Sequence, residues 1–312
     1  INANAVLTGV STLNVDNGAT DITVQPAGAQ LDSNILNAIT GNIDISTTGD
    51  IKIDAGTLGG AGTNDVTLTA DNIDIDNQID INGDLGLNAT TAITIDAAID
   101  LTGGTGGVSS TGTDFTTAGT GTITTAAGAI DIQNTGDILI GQALTTNGGA
   151  IIIDGGGTSI TVDAATSTGA GVAGNVDLDA GTIDLNAFIE AGSGAVTIDS
   201  TVGGVTIDDS VDGGSVAVDS AAAISLATDA DVTSDAGAII LNAATTLTSD
   251  VNSALNATGG NVDLDSGTDA TLSGGITADG LGIDVKAAAG TLKIDTAPVQ
   301  SAGAGNVALA GD

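Results

Sequence analysis

The chain has 312 residues, of which 39 are acidic and 3 are basic, so its formal net charge is −36. Three Lys cannot follow a phosphate backbone, which excludes nucleic-acid binding through a basic surface. The chain has no His and no Cys, which removes disulfides, thiolate metal sites and catalysis by a Ser–His or Cys–His pair. With 48 Gly, two Phe and no Trp or Tyr, any core must be built from small aliphatic side chains.

Short segments that alternate apolar and polar residues recur along the chain about every 22 residues. The first segment of each repeat starts at Ile22, Ile43, Val66, Leu85, Val108, Ile130, Ile151, Val176, Val196, Val216, Ile239, Val262, Ile283 and Val307. A second segment starts at Ile51, Ile73, Ile93, Phe115, Ile138, Ile160, Ile183, Val205, Ile224, Leu247, Ala270 and Leu292. A third starts at Leu58, Ile79, Ile99, Ile123, Leu144, Thr166, Ile189, Val211, Val232, Leu255, Ile276 and Val299.

Alternation with a period of two is typical of a strand with one buried face. Three series that advance together predict an all-β parallel β-helix, or β-solenoid, with three strands per coil, about 22 residues per coil and about 14 coils. We expect one domain over residues 1–312, with less regular coils over 1–40. No apolar run approaches 18 residues, so we expect no membrane insertion.

Glycine stands two residues before most first segments, as Gly174 does before Val176 and Gly194 before Val196. Before Val66 this place is taken by Asn64, the residue that best tolerates a left-handed backbone after Gly. The pattern predicts a corner of each coil that needs a positive φ.

The stretch from Asp71 to Asp84 combines five Asp with Asn72, Asn77 and Asn82, and it is the best candidate for binding a cation. Calcium prefers several oxygen ligands, and this stretch offers Asp74, Asp76, Asp80 and Asp84 as candidates. It matches neither an EF-hand loop nor the Gly-rich calcium-binding nonapeptide. Diffuse screening of the negative charge by cations is the alternative. No cofactor is expected beyond calcium.

A Gly-x-[Ile/Val]-x-[Ile/Leu]-[Asp/Asn] unit recurs, for example at 174–179, 194–199, 214–219 and 260–265. In these units the chain, from about Ile43 to Leu309, resembles the repeats of large secreted bacterial β-solenoid surface proteins, the filamentous haemagglutinin-like and autotransported adhesins. The resemblance implies a right-handed parallel β-helix, extracellular display on a cell surface, and a structural or adhesive role without a cofactor.

Asp208, Asp209 and Asp212 form the closest acidic group along the second half of the chain. Paired carboxylates serve acid–base catalysis in polysaccharide-cleaving β-helices, but those sites add Arg, Lys, His or aromatic groups that orient a sugar. The sequence therefore favours a non-catalytic structural protein, part of a fibre, sheath or adhesin stalk. A carbohydrate-binding or carbohydrate-cleaving β-helix remains the alternative, and a cell-surface glycan is a candidate partner.

The last predicted segment, from Val307, runs almost to Asp312 without a polar cap. A parallel β-helix that ends in this way exposes unpaired backbone groups. We therefore expect either further coils in a longer parent chain or end-to-end self-association of copies.

Overall fold

The structure is a computed structural model that describes residues 42–54, 58–59, 65–279, 281–295, 298–301 and 305–311, together with the strand backbones of 11–17, 22–24 and 31–38. The chain divides into two compact units, Ile1–Asp154 and Gly155–Asp312, and each is described by itself. A single domain over residues 1–312 stays a prediction, and most of the less regular segment 1–40 lies outside the described residues.

Strand formation follows the alternating apolar pattern throughout both units. The described strands of the first unit are β1 (Ser11–Asn17), β2 (Ile22–Val24), β3 (Leu31–Ala38), β4 (Ile43–Ser46), β5 (Ile51–Ile53), β6 (Leu58–Gly59), β7 (Val66–Ile75), β8 (Ile79–Asp80), β9 (Leu85–Ile95), β10 (Ile99–Leu101), β11 (Val108–Gly112), β12 (Asp114–Thr117), β13 (Ile123–Thr125), β14 (Ile130–Asn134), β15 (Ile138–Ile140), β16 (Leu144–Thr145) and β17 (Ile151–Asp154).

The described strands of the second unit are β18 (Ser159–Val162), β19 (Thr166–Ser167), β20 (Val176–Ala180), β21 (Thr182–Leu185), β22 (Ile189–Glu190), β23 (Ala195–Ser200), β24 (Val205–Ile207), β25 (Val211–Gly213), β26 (Ser215–Ser220), β27 (Ile224–Leu226), β28 (Asp231–Ser234), β29 (Ile239–Ala243), β30 (Leu247–Ser249), β31 (Ala254–Thr258), β32 (Asn261–Ser266), β33 (Ala270–Leu272), β34 (Gly275–Asp279), β35 (Gly282–Ala287), β36 (Leu292–Ile294), β37 (Val299–Ser301) and β38 (Asn306–Ala310).

Strands pair in parallel with the strand one repeat further along the chain. In the second unit, β20 pairs with β23, β21 with β24, and β22 with β25. The register joins the predicted start positions to one another, as Val176 to Val196 and Ile183 to Val205. The all-β parallel β-solenoid with about 22 residues per turn is therefore confirmed. Its right-handed sense stays a prediction.

Two details differ from the expectation. The described residues form about 12 turns instead of 14, and they lie in two parallel sheets instead of three. β7 and β9 each run through both the first and the second segment of their turn, so these two segments belong to one sheet. The first strands also depart from the three-segment order, because β3 pairs with β1, β5 and β6.

The core of each unit is a set of aliphatic columns. Along β20 and β21 the side chains of Val176, Leu178, Ile183 and Leu185 are buried, while Asp177 between them is exposed. Burial of a Val, Leu or Ile side chain contributes about 1.5–3 kcal/mol. Because each turn repeats the same inward positions, this contribution recurs at every turn and the chain needs few aromatic residues.

The glycine column is required by close stacking of turns and not by a positive φ, so the predicted reason is wrong. A Cβ on Gly194 would lie 1.9 Å from the carbonyl oxygen of Gly174, and one on Gly106 would lie 1.8 Å from that of Gly83. The described glycines at this corner do not have a positive φ. The exception at Asn64 lies outside the described residues.

Buried hydroxyl groups satisfy the backbone at the corners. Ser234 donates to the carbonyl oxygen of Gly214 at 3.0 Å or to that of Gly237 at 2.9 Å. In the same way, the Ser200 hydroxyl can donate to the carbonyl oxygen of Gly181 or to that of Gly203. Since a buried carbonyl without a partner costs free energy, these small polar residues allow the chain to turn inside a tightly packed stack.

Candidate functional site

Two of the predicted calcium ligands share an ion pair with one Lys side chain. Asp74 points outward from β7 and Asp76 follows the end of that strand. Lys52, on β5, donates a hydrogen bond to Asp74 Oδ2 at 2.8 Å and another to Asp76 Oδ2. The bonds to Asp74 and then Asp76 raise the pKa of Lys52 above its ordinary value. A calcium ion at this position would have to compete with the ammonium group.

A third carboxylate joins this pair from the next turn. One oxygen from each of Asp74, Asp76 and Asp96 lies within 4.8 Å of the others. Asp96 was missed by the sequence reasoning, which searched one continuous stretch of chain. The repeat contains the signal, because Asp96 follows its second segment as Asp76 follows the segment before.

The other two predicted ligands lie elsewhere on the first unit. Asp80 is in β8, where it pairs with Asp100 of β10. Asp84 precedes β9 and accepts a hydrogen bond from the Gly107 N–H at 2.8 Å. A specific calcium site at Asp74, Asp76, Asp80 and Asp84 stays a prediction, and the stack of turns assigns its members to different positions of the coil.

An open groove of about 650 Å³ runs along one corner of the second unit. It is lined by small residues and by one column of register partners, Asp199, Asp219, Asn242, Asp265 and Lys286. Asn242 Nδ2 donates to Asp219 Oδ1 at 2.7 Å. Successive side chains of this column are separated by one strand spacing, about 4.8 Å. The groove therefore offers the carboxylate acceptors of Asp199, Asp219 and Asp265 together with the donors of Asn242 and Lys286 to the hydroxyl groups of a ligand.

The acidic group at 208–212 is distributed over two segments of the coil. Asp208 follows β24, where burial and then the charge of Asp208 raise the pKa of Asp184. Asp209 accepts a hydrogen bond from the next backbone N–H at 2.7 Å. Asp212 lies on β25 and pairs with Glu190 of β22. The sequence neighbours thus do not converge on one reacting centre.

Asp212 and Glu190 are the pair that the fold brings together instead. Burial, followed by the charges of Asp235 and Glu190, raises the pKa of Asp212. Ser167 donates a hydrogen bond to Glu190 Oε2 at 2.5 Å. A raised pKa beside a second carboxylate is found in acid–base catalysts and also in structural clusters of charge. Asp212 Oδ1 is buried and lacks a hydrogen-bond partner among the described residues, so this oxygen is not accessible to a substrate.

The fold and these surface columns define an acidic β-solenoid repeat protein. Comparisons with protein-family models, with curated proteins and with solved structures found no match. Within the described ranges, no helix has the length and apolar character that crossing a membrane requires.

Proposed function

We propose that this chain is a non-catalytic structural repeat protein that forms part of an extracellular fibre, sheath or adhesin stalk on a bacterial cell surface. The observation that carries the proposal is the register of the strands. Within each unit, turn follows turn along the three segments, with aliphatic residues inward and short polar residues outward. Repetition of this kind makes an extended surface from nearest-neighbour contacts alone.

The stacking itself supports a mechanical role. Each added turn extends backbone ladders and aliphatic columns together, so separating two turns breaks both at once. The inward residues Ile198, Val218 and Leu241 are fully buried and are register partners on neighbouring strands. Such a stack resists bending and pulling through many parallel interactions of modest individual strength.

The high negative charge supports a role in which association depends on ions. Carboxylates stack directly on one another in several columns, for example Asp179, Asp199 and Asp219. Unit charges about 5 Å apart in water repel by roughly 0.8 kcal/mol. Assembly of such chains is expected to need salt or a divalent cation that lowers this repulsion.

Electron microscopy and light scattering with and without calcium test the structural proposal. We expect self-association into filaments or bundles when calcium is added, with magnesium and NaCl at equal ionic strength as controls. A chain that stays monomeric under all these conditions would contradict self-assembly. A search of the native cell surface with an antibody then decides whether the chain is displayed there as part of a fibre or sheath.

The groove of the second unit favours one alternative, a carbohydrate-binding β-helix. Its column of Asp and Asn acceptors could bind the hydroxyl groups of an extended glycan. A glycan array with the native protein and with Asp219→Asn measures this directly. Binding that is lost in Asp219→Asn but kept in Asp80→Asn, which makes the same charge change on the first unit, would favour the alternative. Turnover of a bound polysaccharide would overturn the non-catalytic role.

A further inference from the structure

The sequence contains the dipeptide Asn-Gly at 17–18, 82–83 and 147–148. In this dipeptide the backbone nitrogen of Gly can attack the side-chain amide carbon of Asn, because Gly has no Cβ to hinder the approach. The reaction closes a succinimide ring and releases ammonia. It needs a mobile, accessible turn, so the fold decides which of the dipeptides can react.

Asn147 and Gly148 lie in the turn between β16 and β17. Both residues are exposed, and Gly148 has a φ of 100°. Neither the Asn147 side chain nor the Gly148 N–H makes a hydrogen bond within the part of the chain that the structure describes. The restraints nearby act on the next residue, Gly149: its carbonyl oxygen accepts a hydrogen bond of 2.5 Å from Thr146 Oγ1, and a Cβ on it would lie 2.1 Å from the carbonyl oxygen of Gly128. The attacking nitrogen and the amide that it attacks are therefore both exposed, and neither has to break a hydrogen bond to another described residue before the ring closes.

The same dipeptide at Asn82 and Gly83 is enclosed. Both residues are half-buried, and Asn82 is held by a further interaction. The loop 103–106 lies directly against them: a Cβ on Gly104 would be 1.9 Å from the Asn82 carbonyl oxygen, and one on Gly106 would be 1.8 Å from the Gly83 carbonyl oxygen. Rotation of this turn into a ring requires the loop to leave first.

We propose that Asn147 is a site of spontaneous covalent modification in the folded protein, whereas Asn82 is protected by the fold. A bond forms between the Gly148 nitrogen and Asn147 Cγ, the bond from Cγ to the amide nitrogen breaks, and the Gly148 proton leaves with that nitrogen as ammonia. Water then opens the ring at either carbonyl carbon and gives aspartate or isoaspartate. Each event adds one negative charge, and the isoaspartate form also adds one carbon to the backbone of the turn that leads into β17.

Ageing of the native protein in mildly alkaline buffer, followed by digestion on the N-terminal side of Asp and mass spectrometry, tests the proposal. Asn147 falls in the fragment 137–153 and Asn82 in the fragment 80–83. An aspartate formed at 147 or 82 is itself a cleavage site, so it appears as a new fragment that starts at that residue, whereas isoaspartate leaves the fragment intact with the mass of one amide-to-acid conversion. We expect the two products together to form at Asn147 at least about tenfold faster than at Asn82, because reaction at Asn82 waits for local opening. In denaturant, where the loop no longer covers Asn82, both fragments should react at similar rates.

The variant Asn147→Gln serves as the control, since its longer side chain would have to close a larger and slower ring. Its fragment 137–153 should keep its mass while 80–83 behaves as in the parent protein. Equal rates at the two sites in the native protein would overturn the proposal, and so would an unreactive Asn147 in the native protein when the denatured chain reacts.

Discussion

At the scale of single residues, the alternation of burial along each strand makes neighbouring positions respond in opposite ways to the same substitution. Ile198 is fully buried in an aliphatic column, whereas Thr197 beside it is exposed. We expect Ile198→Asp to lower the free energy of unfolding by several kcal/mol, because it removes a packed side chain and buries a carboxyl group without a partner.

The matched control is Thr197→Asp, which introduces the same side chain one position away. Position 197 is exposed and pairs with Asp177, so we expect this variant to change the free energy of unfolding by no more than about 1 kcal/mol. Denaturant unfolding of both variants measures the difference. Equal losses of stability would show that the inward and outward faces of β23 are assigned incorrectly.

Glycine substitution gives a second prediction at this scale. Gly194 has no room for a Cβ beneath the carbonyl oxygen of Gly174, so we expect Gly194→Ala to force two turns apart and to lower the melting temperature clearly. Gly275 has no atom within 4 Å of the position where its Cβ would stand. Gly275→Ala should therefore be neutral or slightly stabilising. A tolerated Gly194→Ala would contradict the close approach of turns.

At the scale of the element, the column that contains Glu190 and Asp212 predicts a dependence of stability on pH. Burial and like charges raise the pKa of Asp212 above its ordinary value of 3.8, so between the unfolded and the folded pKa the folded state binds the proton more strongly than the unfolded state does. This contribution to stability is present below the unfolded pKa and is lost as the pH rises through the folded pKa. Asp212→Asn should therefore stabilise the protein at neutral pH, by less than about 1 kcal/mol after solvent screening.

The advantage of Asp212→Asn should shrink as the pH falls toward 3.8, where the parent side chain is itself becoming neutral. Asp44→Asn is the control, because Asp44 is exposed on β4 and pairs with Thr67 of β7. Thermal unfolding of the three proteins across the acidic pH range gives the comparison. An advantage that stays constant with pH would contradict titration of Asp212 as the cause.

Also at the scale of the element, Lys52 is expected to weaken calcium binding at Asp74 and Asp76. Because its ammonium group already bonds Asp74 and Asp76, we expect the parent protein to show only weak, diffuse calcium binding by calorimetry. Lys52→Gln should bind calcium more tightly, since two carboxylates lose their cation and Asp96 stands beside them.

Lys293→Gln makes the same charge change away from this group, where Lys293 pairs with Asp295. It should leave calcium binding at the level of the parent. Saturable one-site binding by the parent that is abolished by Asp74→Asn would instead support a specific site that competes successfully with Lys52.

At the scale of the whole molecule, the net charge of −36 dominates the response to ionic strength. Stacked carboxylates such as Asp263 and Asp284 repel across one strand spacing, and this repulsion is screened as the Debye length falls from about 10 Å at 0.1 M to about 3 Å at 1 M salt. We expect the melting temperature to rise steadily with NaCl over this range. A flat or falling curve would show that charge repulsion contributes little to the stability of the fold.

After the irregular first strands, the sequence by itself determined where the strands start, their register and the inward residues as far as Val285, whereas Val307 and Leu309 in the last described strand are exposed. The register is predictable because a solenoid repeats one local pattern, so an irregular turn can be aligned from the regular turns beside it. For example, Ile283 pairs with Val262 as predicted, although the glycine before Ile283 is displaced by one residue. Alternation with a period of two also fixes which side chain of each strand is buried.

Only the tertiary structure decided which backbone groups approach each other at the corners and which surface side chains form contacts beyond the strand register. The glycine column had a steric reason that lies in the neighbouring turn, which no local backbone preference of Gly194 reveals. The register already stacks Asp74 on Lys52 and Asp212 on Glu190, but only the structure showed that Lys52 also bonds Asp76 and that Asp96 stands beside both carboxylates. The corners differ in length from turn to turn, and their length affects which side chains of neighbouring turns come into contact. These contacts therefore follow from the three-dimensional stack and not from the repeat alone.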